Sequence, residues 1–67
     1  MGGRKVDPDE IVGTQEIADR LGVTGSSVVH DWIRRYPDFP EPIAYVGRQR
    51  LWNWPDVEAW AKRTGRL

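Results

Sequence analysis

The stretch SSVVHDWIRR, residues 26–35, sets hydrogen-bond donors at helical intervals, with Ser26, Ser27, His30, Arg34 and Arg35 falling between apolar Val29, Trp32 and Ile33. Residues three and four apart share one side of a helix, so Val29, Trp32, Ile33 and Tyr36 make an apolar side and Ser26, Ser27, His30, Asp31 and Arg34 the opposite one. Hydroxyls, an imidazole and guanidiniums in such a row suit anionic oxygens and base edges: a serine donates to a phosphate, and an arginine pairs bidentately with guanine. Arg34 is the leading candidate of the row, and Arg35 lies toward its flank. Helix capping accounts for Ser26 and Ser27 almost as well as phosphate binding does. A second cluster, Arg48, Gln49 and Arg50, stands with no acid between Val46 and Asn53. It concentrates positive potential suited to a minor groove or a phosphate backbone. Asp31 would repel phosphates, so it is expected to pair with a nearby arginine or to accept from a cytosine amino group. Thr14 and Arg20 are candidates for flanking phosphates, an intrahelical pair with Glu16 being the equal alternative for Arg20.

Other chemistries lack their residues. The chain has one histidine and no cysteine, so no metal shell can be completed and no thiolate is available. Asp7, Asp9 and Glu10 are acids on an arm without periodicity, where catalysis would need them fixed in a cleft; they read as solvating charge. No catalytic activity and no cofactor are expected.

The elements that must position the two donor clusters follow from local signals. Thr14 suits an N-cap, Ile17, Ala18 and Leu21 recur on one side, and Gly22 supplies a left-handed stop, which gives a first helix over Thr14–Leu21. Thr24 or Ser26 caps a second helix that reaches Tyr36, after which Pro37, Pro40 and Pro42 forbid continuation and Phe39 is expected to tuck inward as an anchor. Ala18, four residues before Gly22, is small enough for the second helix to approach. The usual spacing of such a corner would bury Asp31, whereas a turn one residue longer buries Val29 and Trp32 and turns Ser27, His30, Asp31 and Arg34 outward. IAYVGRQRLW reads as a hairpin, with Ile43 to Val46 outgoing, a tip at Gly47, Arg48 and Gln49, and Arg50 to Trp52 returning. A last helix starts with Pro55 and ends in Lys62 and Arg63, and Gly65 closes it.

At 67 residues the chain is one small domain whose core must come from few large side chains, and Trp32, Trp52, Trp54 and Trp60 with Tyr36, Phe39 and Tyr45 nearby suggest an aromatic core in the second half. Residues 1–10 are expected to be a flexible arm, with a short extended piece at Ile11 and Val12 opening the ordered domain over 11–67. No apolar run is long enough to span a membrane and no secretory signal is visible, so a cytoplasmic location is expected. Net charge is zero at neutral pH, which argues against a strongly basic coat and keeps a protein-interaction module without nucleic acid as an alternative.

Two helices joined across a glycine-bearing turn, with a hairpin after them, are the form of a winged helix-turn-helix: mainly α with a small β-hairpin. Through IADRLGV, the Trp of DWIRRYPDFPEP, the wing YVGRQRLW and DVEAWAKRTGR, the chain resembles the small MerR-like winged-helix family of phage excisionases and AlpA-type regulators over Val12 to Arg66. The YPDFPEP linker resembles actinobacterial and actinophage members. The resemblance implies a sequence-specific binder of double-stranded DNA that bends attachment-site DNA, occupies adjacent sites in several copies and directs an integrase toward excision. A small transcription regulator of the AlpA or MerR-like type is the alternative within the family. The long dimerisation helix of full-length MerR regulators is missing, so no small-molecule effector is expected.

Overall fold

The computed structural model describes residues 7–67. After a 3-10 turn at Pro8–Glu10 the order is β1 (Ile11–Val12), α1 (Thr14–Leu21), α2 (Ser26–Arg35), β2 (Ala44–Val46), β3 (Gln49–Asn53) and α3 (Trp54–Arg63). Three α-helices and a three-stranded antiparallel sheet make it a small α+β domain. Among the described residues no helix is long and apolar enough to cross a membrane.

The first helix spans the expected residues but starts by another device. Gly13, not Thr14, is its N-cap: the Gly13 carbonyl accepts the Ile17 N–H at 3.0 Å, and the Glu16 carboxylate reaches back to accept the Gly13 N–H at 3.4 Å. Thr14 is thereby the first helical residue. At the other end Gly22 takes φ 71°, and the bonds Val23 N–H to Ala18 O (3.0 Å) and Gly22 N–H to Asp19 O (3.3 Å) close a Schellman motif. A β-carbon at Gly22 would meet nothing within 4 Å, so the cost of a side chain there is conformational rather than steric. Gly22→Ala is therefore expected to destabilise the domain by about 1 kcal/mol, a fall of about 4–8 °C in a thermal melt of a domain this size.

Between the helices run four residues, Gly22 to Gly25, which is the longer corner the spacing requires. The N-cap of α2 is Gly25, with no side-chain cap bond, so neither Thr24 nor Ser26 serves as the cap; Ser26 sits one step later, inside the helix. Val29 is fully buried and Trp32 9 % exposed, whereas Asp31 keeps contact with water. The small Ala18, fully buried, lies in the same core.

The sheet is larger than a hairpin. β3 is its central strand, antiparallel to β2 (Ala44 opposite Leu51, Val46 opposite Gln49) and to β1 (Ile11 opposite Asn53, Val12 opposite Trp52). The hairpin turn is the pair Gly47–Arg48, with Gly47 at φ 58° and Arg48 at negative φ, the type II′ pattern that matches strand twist. Gln49, expected at the tip, pairs with Val46 and belongs to the strand. The extended piece at Ile11 and Val12 forms β1. Residues 1–6 of the expected arm lie outside the described residues; Pro8–Glu10 form a turn capped by the Asp7 carboxylate, which accepts the Asp9 N–H at 2.9 Å. The last helix begins at Trp54, one residue ahead of Pro55.

The core is aromatic and built around Trp60. Phe39 meets Trp60 edge-on at 4.8 Å between centroids and Trp52 at 5.9 Å, while Trp32 and Tyr36 tilt against Trp60 at 5.5 and 5.9 Å. The Trp52 indole N–H donates to the Pro40 carbonyl at 2.9 Å and ties the proline-rich linker to the sheet. Gly65 at φ 79° and the Arg66 N–H to Ala61 O bond of 2.7 Å close α3, bringing the Arg66 guanidinium over Trp60, Tyr36 and Trp32 at 4.6, 4.8 and 5.0 Å. One aromatic departs from the expected cluster, Tyr45, which is 66 % exposed on β2, whereas Trp54 is half-buried and packs against the core.

The Trp60 indole N–H is buried and reaches no partner at hydrogen-bond geometry. It still lies close enough to the Asp38 carboxylate to lower that group's pKa; desolvation opposes this, and Arg63, 3.4 Å away, adds to the lowering. Because Asp38 ionises more readily folded than unfolded, it stabilises the fold at neutral pH. That contribution fades as pH falls below the unfolded aspartate value of about 3.9 and is gone below the folded value. Asp38→Asn is expected to flatten this acid limb of stability against pH, followed by tryptophan fluorescence in urea at successive pH values.

Candidate nucleic-acid interface

Packing of Val29 and Trp32 into the core leaves the other side of α2 in water. Ser27, His30, Arg34 and Arg35 are exposed there, and Ser26 and Asp31 are half-buried. His30 and the hairpin residues Arg48, Gln49 and Arg50 line one open groove of about 400 Å³, together with Thr14, Gln15 and Glu16 at the start of α1. Of the α2 donor row only His30 reaches this space, where it meets the hairpin cluster; Ser26, Ser27, Arg34 and Arg35 do not line it. The tight corner puts His30 beside the start of α1, and the pairing of β3 with β1 holds the hairpin on the other side.

Charge in this groove is uneven. Arg48 and Arg50 are exposed and have no ion-pair partner among the described residues. Glu16 is the groove's acid, and its carboxylate already accepts the Gly13 N–H at the positive end of the α1 dipole. Gln15 donates to Asp19 Oδ1 at 3.1 Å. Among the described residues no three His, Asp or Glu side chains gather to hold a metal ion. The arrangement offers hydrogen bonds and positive charge to an anionic strand.

Beyond the groove the outward side of α2 continues with Ser27, Arg34 and Arg35. Asp31 pairs with both arginines, Oδ1 to Arg34 Nη2 at 3.4 Å and Oδ2 to Arg35 Nε at 3.1 Å. Of the two roles the sequence left open for Asp31, the pairing role is filled in the free protein. Arg20 stands with its guanidinium 5.0 Å from the Trp54 ring centre, so its pair with Glu16 is not formed, and it does not line the groove. Thr14 does line it, as a helical residue rather than a cap.

Gly13, Gln15, Glu16 and Leu51 line the groove without being among the site residues read from the sequence, and of these Gln15 is the one that adds a neutral hydrogen-bonding side chain. Its signal was present, since a residue in the first turn of a helix sits beside unsatisfied backbone N–H groups. What could not be read was which other element would face that end.

Comparison of the chain with protein-family models, with curated proteins and with solved structures finds no match.

Proposed function

We propose that the chain is a winged helix-turn-helix protein that binds double-stranded DNA sequence-specifically and acts without catalysis. Its role in this reading is that of an excisionase, which bends attachment-site DNA and directs an integrase toward excision. The observation that carries the DNA-binding reading is the shared groove, which His30 of α2 and Arg48, Gln49 and Arg50 of the hairpin together line. In this arrangement α2 enters a major groove, Arg34 addresses a guanine edge, and Ser26 and Ser27 donate to phosphates. The hairpin arginines follow the adjoining backbone or minor groove, with Thr14 and the positive end of α1 at a flanking phosphate. The excisionase role rests on the sequence resemblance described above.

A net charge of zero limits how many phosphates one copy neutralises. About four to six contacts give a log–log salt slope near −4 to −5, at roughly 0.9 per contact. Binding by one copy is then weak, and useful affinity comes from copies side by side on repeated sites or from an integrase held on the same DNA, all in the cytoplasm of a bacterial host. A gel-shift and bending assay on the attachment DNA beside the gene, with and without integrase, tests the reading. Bending together with stimulated excision supports it. Unbent binding at a promoter alone would replace excisionase by transcription regulator, and no binding to any duplex would leave the protein-interaction module.

A further inference from the structure

On the outward side of α2 one carboxylate holds two guanidiniums. Asp31 meets Arg34 at 3.4 Å and Arg35 at 3.1 Å, with side chains 79 % and 69 % exposed for the arginines and 38 % for the aspartate. Exposed pairs of this kind are weak and open readily when a better partner arrives. A phosphate is a better partner for either arginine but a worse neighbour for Asp31, whose charge it repels. Random duplex therefore gains the arginine contacts only against that repulsion.

A base edge differs. Guanine O6 and N7 take Arg34 bidentately, and the cytosine amino group is a donor that an aspartate oxygen can accept. With Asp31 and Arg34 three residues apart on one side of the helix, a single G·C pair or two adjacent ones satisfy both charges at once.

We infer that Asp31 is a specificity-determining residue: it reads a cytosine amino group beside the guanine taken by Arg34, and its charge penalises every duplex that lacks one. This rests on the DNA-binding reading and narrows it to a G·C requirement under α2. A purely structural role, as an intrahelical pair supporting α2, would leave sequence preference untouched.

The test compares the wild type with Asp31→Asn and Asp31→Glu in selection from a random-sequence duplex pool, followed by titration of a random duplex across salt concentrations. The wild type is expected to enrich a motif with a fixed G·C position that Asp31→Asn enriches at least about fivefold less. Asp31→Asn should also bind random duplex several-fold more tightly, with a salt slope steeper by about 0.9. Asp31→Glu, which keeps the charge, should retain the wild-type slope, and all three proteins should melt at similar temperatures. An unchanged motif and slope for Asp31→Asn, or weaker binding of that variant to random duplex, would overturn the inference while leaving DNA binding in place. Failure of the wild type to bind any duplex would remove the reading beneath it.

Discussion

On the proposed DNA-binding reading, replacing both Arg48 and Arg50 with alanine is expected to lower affinity for every duplex by about 10–100-fold at moderate salt, because charge-assisted hydrogen bonds to phosphate contribute about 1.5–3 kcal/mol each before solvent screening. The salt slope should flatten by about 1.8, two contacts at 0.9 each. Both side chains are exposed and lack ion-pair partners among the described residues, so the fold should be unaffected within about 0.5 kcal/mol. The combination is diagnostic. Uniform loss across sequences with a flatter slope marks backbone contacts, whereas Arg34→Ala should change which sequences are bound. Fluorescence-anisotropy titrations of two unrelated duplexes over a range of salt concentrations measure it, and wild-type affinity in the double variant would remove the hairpin from the interface.

Trp60→Ala is expected to leave the protein largely unfolded at 25 °C. Trp60 is 1 % exposed and touches Trp32, Tyr36 and Phe39, with Arg66 stacked over it. Truncating such a ring costs about 3–5 kcal/mol, which equals the roughly 3–5 kcal/mol that a core this small supplies. Trp60→Phe should be much milder, since it keeps a ring against Phe39 and gives up only the indole N–H beside Asp38. Trp54→Ala, at a half-buried position, should fall between the wild type and Trp60→Ala. Circular dichroism with urea titration orders the three, and a folded Trp60→Ala would mean the core is not organised around that ring.

The helices were legible because their signals are local. Apolar residues at three- and four-residue spacing and a glycine stop define α1 to the residue, and the burial of Val29 and Trp32 follows from requiring Asp31 to stay in contact with water. The caps were misread because the choice between Thr14 and Gly13 depends on the Glu16 carboxylate reaching back to the Gly13 N–H, a competition that residue preference alone does not decide. β1 was visible only as an extended piece, since its pairing partner Asn53 lies 42 residues away, from position 11 to position 53, and no local pattern encodes such a pairing. Arg66 carries no local signal for its place over three rings, which depends on the turn at Gly65 that brings it back across the core. For the candidate site the sequence named both donor clusters, yet that His30 and the hairpin cluster line one groove is a property of the tertiary arrangement.

The central strand passes from Asn53 straight into α3 at Trp54 with no intervening loop, and Trp52, the residue before Asn53, is wholly enclosed and bonded to Pro40. The base of the arginine-tipped ribbon is therefore anchored in the same core that holds α2, and it cannot swing away from α2 without disturbing Trp52. A partner touching both must do the yielding. For a duplex, curving by 40–90° over 20–30 base pairs takes about 1–6 kcal/mol, least at pliable pyrimidine–purine steps. A stiff protein of this shape would thus favour target sites by how easily they deform, at positions it never contacts.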